Sequence, residues 1–129
     1  MRRLVPIAAA LAAVLALAGC GGKKTYTLEP TRACLAHVSR FKLVAVPVSE
    51  VVANSATGGA LRVEMSGNEV TISFGADADE AARLSRGYQK LAGTNIGLAD
   101  VLRPNRNAVL LWQAHPTEDD ESTVKHCLK

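Results

Sequence analysis

Aromatic side chains are scarce in this chain. Tyr26, Phe41, Phe74, Tyr88 and Trp112 are all there are in 129 residues. A surface that stacks bases or sugars needs several aromatic faces held together, and three of these five fall on the apolar faces of candidate core elements. Strong charge of one sign is missing too. Fifteen Lys and Arg against 12 Asp and Glu give a formal net charge of +3 without a basic stripe, so nucleic acid has no electrostatic footprint to bind. No apolar run reaches the roughly 20 residues of a spanning helix; the run from Leu4 to Ala18 ends at Gly19. Catalytic signatures are likewise missing. No Ser occupies a G-x-S-x-G elbow, and Gly22-Lys23-Lys24-Thr25 lacks the earlier glycine and the preceding strand of a phosphate-binding loop. His37, His115 and His126 do not follow a close metal-ligand spacing. No catalytic residue, metal or cofactor is therefore assigned, and no internal repeat marks a second domain.

What is present begins at the N-terminus. Met1-Arg2-Arg3 is a basic head, Leu4 to Ala18 an apolar stretch, and Leu17-Ala18-Gly19-Cys20 closes it with small residues, the layout of an export signal. That tetrapeptide resembles the lipobox of bacterial lipoproteins. The resemblance covers residues 1–22 and implies that residues 1–19 are removed and that Cys20 becomes a diacylglyceryl-modified N-terminus. Two acyl chains make anchoring stable where one is marginal. The implied address is the extracytoplasmic side of a cell membrane, with residues 20–25 as a lipidated tether and residues 26–129 as a single domain. Loss of Arg2 and Arg3 lowers the net charge from +3 to +1.

With Cys20 assigned to lipid, Cys34 and Cys127 remain, an even pair in an oxidising compartment. They read as one disulfide joining the first helix of the domain to the last. The alternatives are two buried thiols, or a zinc site completed by His37 and His126. Adjacent residues on a helix point about 100° apart, which makes it awkward for His126 and Cys127 to face one ion.

Patterning predicts an α+β fold with the order α-β-β-β-α-β-α: about four mainly antiparallel strands, with helices packed on one face. Pro30 suits a helical first turn, and Cys34, Val38 and Phe41 share a helical spacing over residues 30–41. Residues 42–48 read as a strand that Pro47 ends or confines to an edge, and residues 49–54 as a helical turn. Alternation over Leu61–Met65 and Val70–Phe74 predicts a hairpin. With Gly67-Asn68 as a two-residue turn, Val63 faces Ile72 on the buried side, and Arg62, Glu64, Thr71 and Ser73 share the other side. Asp77 reads as the cap of a helix in which Ala81, Leu84, Tyr88 and Leu91 recur on one face and which Gly93 stops. Gly87 on that face suggests close backbone approach to the sheet. Ala108 to Trp112 is apolar throughout, as in an inner strand, and Pro116-Thr117 opens a last helix.

Two segments are candidates for binding. Glu118-Asp119-Asp120-Glu121 has carboxylates for a hard cation, but acids in a first turn are also what the helix dipole favours. The loop Arg103-Pro104-Asn105-Arg106-Asn107 has Arg103, Asn105, Arg106 and Asn107 to hold a carboxylate or phosphate. The function these readings favour is a non-enzymatic envelope lipoprotein that binds a protein or cell-wall component near the membrane. A small-ligand carrier is the alternative, and an extracytoplasmic enzyme the least supported class.

Overall fold

The alternating run in the middle of the chain builds the centre of a five-stranded antiparallel sheet. Its strands are β1 (Lys42–Val44), β2 (Ala60–Met65), β3 (Asn68–Phe74), β4 (Leu102–Asn105) and β5 (Ala108–Trp112), in the order β1-β2-β3-β5-β4. The helices are α1 (Leu28–Ala36), α2 (Val51–Asn54), α3 (Ala78–Ala92), α4 (Leu98–Val101) and α5 (Glu118–Cys127). This is a computed structural model that describes residues 24–93 and 97–129. Cys20 and the segment expected to be an export signal lie outside the described residues. The α+β class matches the expectation from patterning; the strand count and the arrangement of helices do not.

The hairpin forms with its register displaced by two residues. Val63 pairs with Val70, Leu61 with Ile72 and Met65 with Asn68, so the turn is Ser66-Gly67 and not Gly67-Asn68. Gly67 takes φ +73°, which puts the left-handed residue at the second turn position, where glycine meets no steric cost. Asn68 is drawn into the strand from the far side: its Nδ2 donates to the Ala114 carbonyl at 3.0 Å, and its Oδ1 accepts the Ala114 N–H at 3.0 Å. A shift of two leaves each side chain on its expected face, where a shift of one would have inverted them all.

Helices cover both faces, not one. On the first face Leu61, Val63, Val70, Ile72, Phe74, Leu110 and Trp112 pack with Leu35 of α1 and with Val124 and Cys127 of α5. On the second, Val109 and Leu102 pack with Val52 of α2 and with Ala81, Leu84 and Tyr88 of α3. The reason lies in β5, whose residues are apolar toward both sides, so a single helical layer would leave half of them in water. Thr71 and Ser73, expected on a polar side, are consequently buried.

Local signals set most helix limits. Asp77 Oδ1 accepts the Glu80 N–H at 2.8 Å to cap α3, and Thr117 Oγ1 accepts the Asp120 N–H at 3.1 Å to cap α5. Helix α1 ends at Ala36, earlier than its apolar spacing suggested, and β1 ends at Val44, before Pro47. Leu91, expected in the core, is 68% exposed, and Tyr88 is the last residue of α3 in the packed cluster. Gly87 does make a close approach, but to α2: a Cβ there would lie 3.3 Å from Val52 Cγ2.

Glu80 is buried and ties the loop after α2 to the start of α3. Its Oε2 accepts the Thr57 N–H at 2.8 Å and its Oε1 the Ala76 N–H at 3.3 Å. Hydrogen bonds from Thr57, side chain and backbone, hold its carboxyl below the ordinary value of 4.5 against the opposing effect of burial. A depressed folded-state value means that this stabilisation is complete above about pH 4.5 and is lost as pH falls through the lowered value. Melting temperature measured against pH should therefore fall on acidification below that range, and Glu80→Gln should flatten part of the fall. An unchanged slope in the variant contradicts this role.

Candidate functional site

The segment expected to be a binding loop is split between a strand and a turn. Residues 103–105 belong to β4, and Arg106-Asn107 turn the chain into β5. Pairing along β5 recruits residues that look like a loop on their own, and Pro104 is tolerated because β4 is an edge strand. Asn105, Arg106 and Asn107 turn to the Lys24–Tyr26 segment, and Arg103 turns away to α4 and α5. Arg103 donates through Nε to the Asp100 carbonyl at 2.9 Å and forms an ion pair with Glu121. Asn105 Oδ1 accepts from Tyr26 Oη at 3.4 Å. Asn107 is buried and saturated: its Oδ1 accepts the Tyr26 N–H at 2.7 Å, and its Nδ2 donates to the carbonyls of Tyr26 and Gly75, each at 2.8 Å. Arg106, at the tip of the turn, donates through Nη1 to the Lys24 carbonyl at 3.3 Å.

Cys34 and Cys127 form a disulfide with Cα atoms 5.3 Å apart, joining α1 to α5. Bonded sulfurs are not thiolates, so the zinc alternative loses its two strongest ligands. Among the described residues, no group of three or more His, Cys, Asp or Glu side chains is placed to hold a metal. Most of the acidic run at the start of α5 is already engaged. Asp119 and Asp120 pair with Arg40 at 2.9 and 3.2 Å, and Glu121 pairs with Arg103 and with Lys125, the latter at 2.9 Å. Hydrogen bonds from Arg103 and then Lys125 hold the Glu121 carboxyl below its ordinary range.

A polar cluster that sequence reading missed lies on the second sheet face. Arg62, with its side chain mostly covered, reaches Glu50 at 2.8 Å and Glu69 at 3.7 Å and donates to Thr71 Oγ1 at 3.2 Å. Beside it, Ser73 Oγ and Tyr88 Oη are 3.4 Å apart, and burial raises the Tyr88 phenol above its usual range. Each group here has its partner inside the cluster, which fits a structural network. The alternation of Arg62 and Thr71 with the core residues placed them on one face. Nothing local showed that α2 would lay Glu50 across it.

The two ends of the sheet differ in a way that matters for recognition. At β4 the edge holds Pro104, which has no N–H to offer, and Arg103 in its ion pairs. At β1 the chain runs on from Val44 through Ala45, Val46, Pro47 and Val48, an apolar segment beyond the last paired residue. Val48 is 94% exposed and Val51, opening α2, 58%. A groove of about 330 Å³ runs along this segment, walled by Arg32, Leu43, Val46 and Leu61 among others. Exposed edges are templates for another extended chain, and proteins ordinarily blunt them with charge or proline. Here Lys42 begins the strand and Pro47 follows it, while the stretch between them is unguarded. The patterning had assigned residues 42–48 to a strand; their exposure was not readable from composition. Comparison of the chain with protein-family models, with curated proteins and with solved structures finds no match.

Proposed function

We propose that this protein is a non-enzymatic envelope lipoprotein, held by lipid on Cys20 to the extracytoplasmic side of a membrane, whose domain binds a protein partner along the free edge of β1. The anchor rests on Leu17-Ala18-Gly19-Cys20 after a basic head and an apolar stretch. A disulfide that closes the domain suits the oxidising compartment which that address implies. The observation that carries the docking reading is the apolar segment from Val44 to Val48 at a sheet edge, in which Ala45 and Val48 are exposed and Val44 and Val46 half-buried. Main-chain hydrogen bonds from an added strand supply affinity in this mode, and neighbouring apolar grooves select side chains.

A photo-crosslinking residue at Ala45, in cells producing the full chain, tests the reading. A discrete adduct is expected from Ala45, none from Pro104 on the opposite edge, and loss of the Ala45 adduct in Val48→Asp. Substitution of so exposed a residue leaves the fold intact within about 0.5 kcal/mol. Equal adducts from both edges, or an adduct indifferent to Val48→Asp, contradict docking at β1.

A further inference from the structure

We infer that the end of the domain at the β4–β5 turn lies against the anionic headgroups of the membrane, and that Arg106 is the residue placed to contact a lipid phosphate. This rests on lipid attachment at Cys20 and is independent of the partner at β1.

The length of chain outside the structure supplies the first reason. Only Gly21, Gly22 and Lys23 stand between Cys20 and Lys24, the first described residue. At about 3.4 Å per residue, the Lys24 Cα cannot lie more than about 14 Å from that of Cys20. Whatever Lys24 touches is therefore held beside the bilayer.

What it touches is the β4–β5 turn. Arg106 Nη1 donates to the Lys24 carbonyl at 3.3 Å, and the Arg106 guanidinium lies 5.2 Å from the centre of the Tyr26 ring. Tyr26 is in turn held by both ends of the Asn107 amide. The exit of the tether is thus stapled to the turn, and the arginine is held there by a carbonyl and an aromatic face. A cavity of about 360 Å³ opens between Lys24, Arg106 and the start of α3 at Asp77. Asp77 is the acid facing this cavity, and its carboxylate is engaged in capping α3. Against it stand Lys24 and Arg106.

The backbone supplies a second, independent reason. Arg106 has φ +53° and is the one non-glycine among the described residues in the left-handed region. Glycine or asparagine takes that conformation at lower cost. A long cation at such a position is strained locally, and its guanidinium stays exposed beside Lys24 and Tyr26. Its planar fork suits phosphate oxygens, and the surface potential of an anionic leaflet attracts each basic residue held close to it.

The test uses the mature chain from residue 20 with Cys20→Ser, so that no acyl chain contributes, sedimented with phosphatidylcholine vesicles with and without phosphatidylglycerol. Binding is expected to the anionic vesicles alone and to weaken with added salt. Arg106→Gly should lower the partition coefficient about fivefold while its melting temperature holds or rises, since glycine relieves the backbone. Equal binding by Arg106→Gly and the unsubstituted chain, or indifference to phosphatidylglycerol, overturns the inference. Failure of the anchor reads separately, as a Cys20 that carries no lipid in cells whatever the vesicles show.

Discussion

Replacing both Cys34 and Cys127 by alanine is expected to lower the unfolding free energy of the domain by about 4–5 kcal/mol. The bond spans 93 residues, almost the whole domain, and on the chain-entropy account a loop of that length removes about this much freedom from the unfolded chain. Domains of this size are stable by only about 5–15 kcal/mol in total, so the variant should be marginal at best. Other contacts around the bond do not depend on it. Cys127 is buried beside Val124 and Leu128, the Thr27 N–H donates to the Lys129 carbonyl at 2.6 Å, and the Lys129 N–H donates to Thr31 Oγ1 at 3.2 Å. The effect should therefore sit chiefly in the unfolded state. Urea denaturation of both proteins should give a lower midpoint together with a larger slope, because the uncrosslinked chain exposes more surface. A loss below about 1 kcal/mol would place the stability of the fold elsewhere.

Val63→Asp should be more damaging still, leaving the domain unfolded or nearly so. Val63 has no exposed surface, pairs with Val70, and lies on the sheet face that α1 and α5 cover. A carboxylate there has no cation or donor to meet and must either stay protonated or open the core. Glu64, the next residue, is exposed, and Glu64→Gln should shift stability by no more than about 0.5 kcal/mol. Far-ultraviolet circular dichroism followed through a urea titration separates the two. If Glu64→Gln is the worse variant, the face assignment of β2 is wrong. Arg62, expected beside Glu64 on the polar side, is not neutral to change, because Arg62→Asp would bring a third carboxylate to Glu50 and Glu69.

The pattern of successes and failures follows from which forces are local. Asp77 and Thr117 could be read as caps because a cap needs only its own turn. The hairpin faces were readable because period-two alternation does not depend on the partner strand. Its register was not, since alternation allows any even shift; in the observed register Asn68 joins β3 and bonds to Ala114, 46 residues away. β4 escaped detection because Arg103-Pro104-Asn105 has the composition of a loop and is a strand only beside β5. The second helical layer was implicit in the apolar β5, but a count of helices cannot tell which face each one takes. Pairing of Cys34 with Cys127 followed from parity once Cys20 was assigned, with no distance needed. The polar residues of the candidate loop have contacts that no local pattern showed: Arg103 reaches Glu121 of α5, and Asn105, Arg106 and Asn107 reach the Lys24–Tyr26 segment, about 80 residues away.

The proposed compartment and orientation of the domain both depend on one proposed modification, the lipid on Cys20. Metabolic labelling with a palmitate analogue, in cells producing the full chain and its Cys20→Ala variant, tests it most directly. Label is expected on the wild type, recovered in the membrane fraction, and none on Cys20→Ala. Equal labelling of the two, or none on either, contradicts the lipoprotein reading.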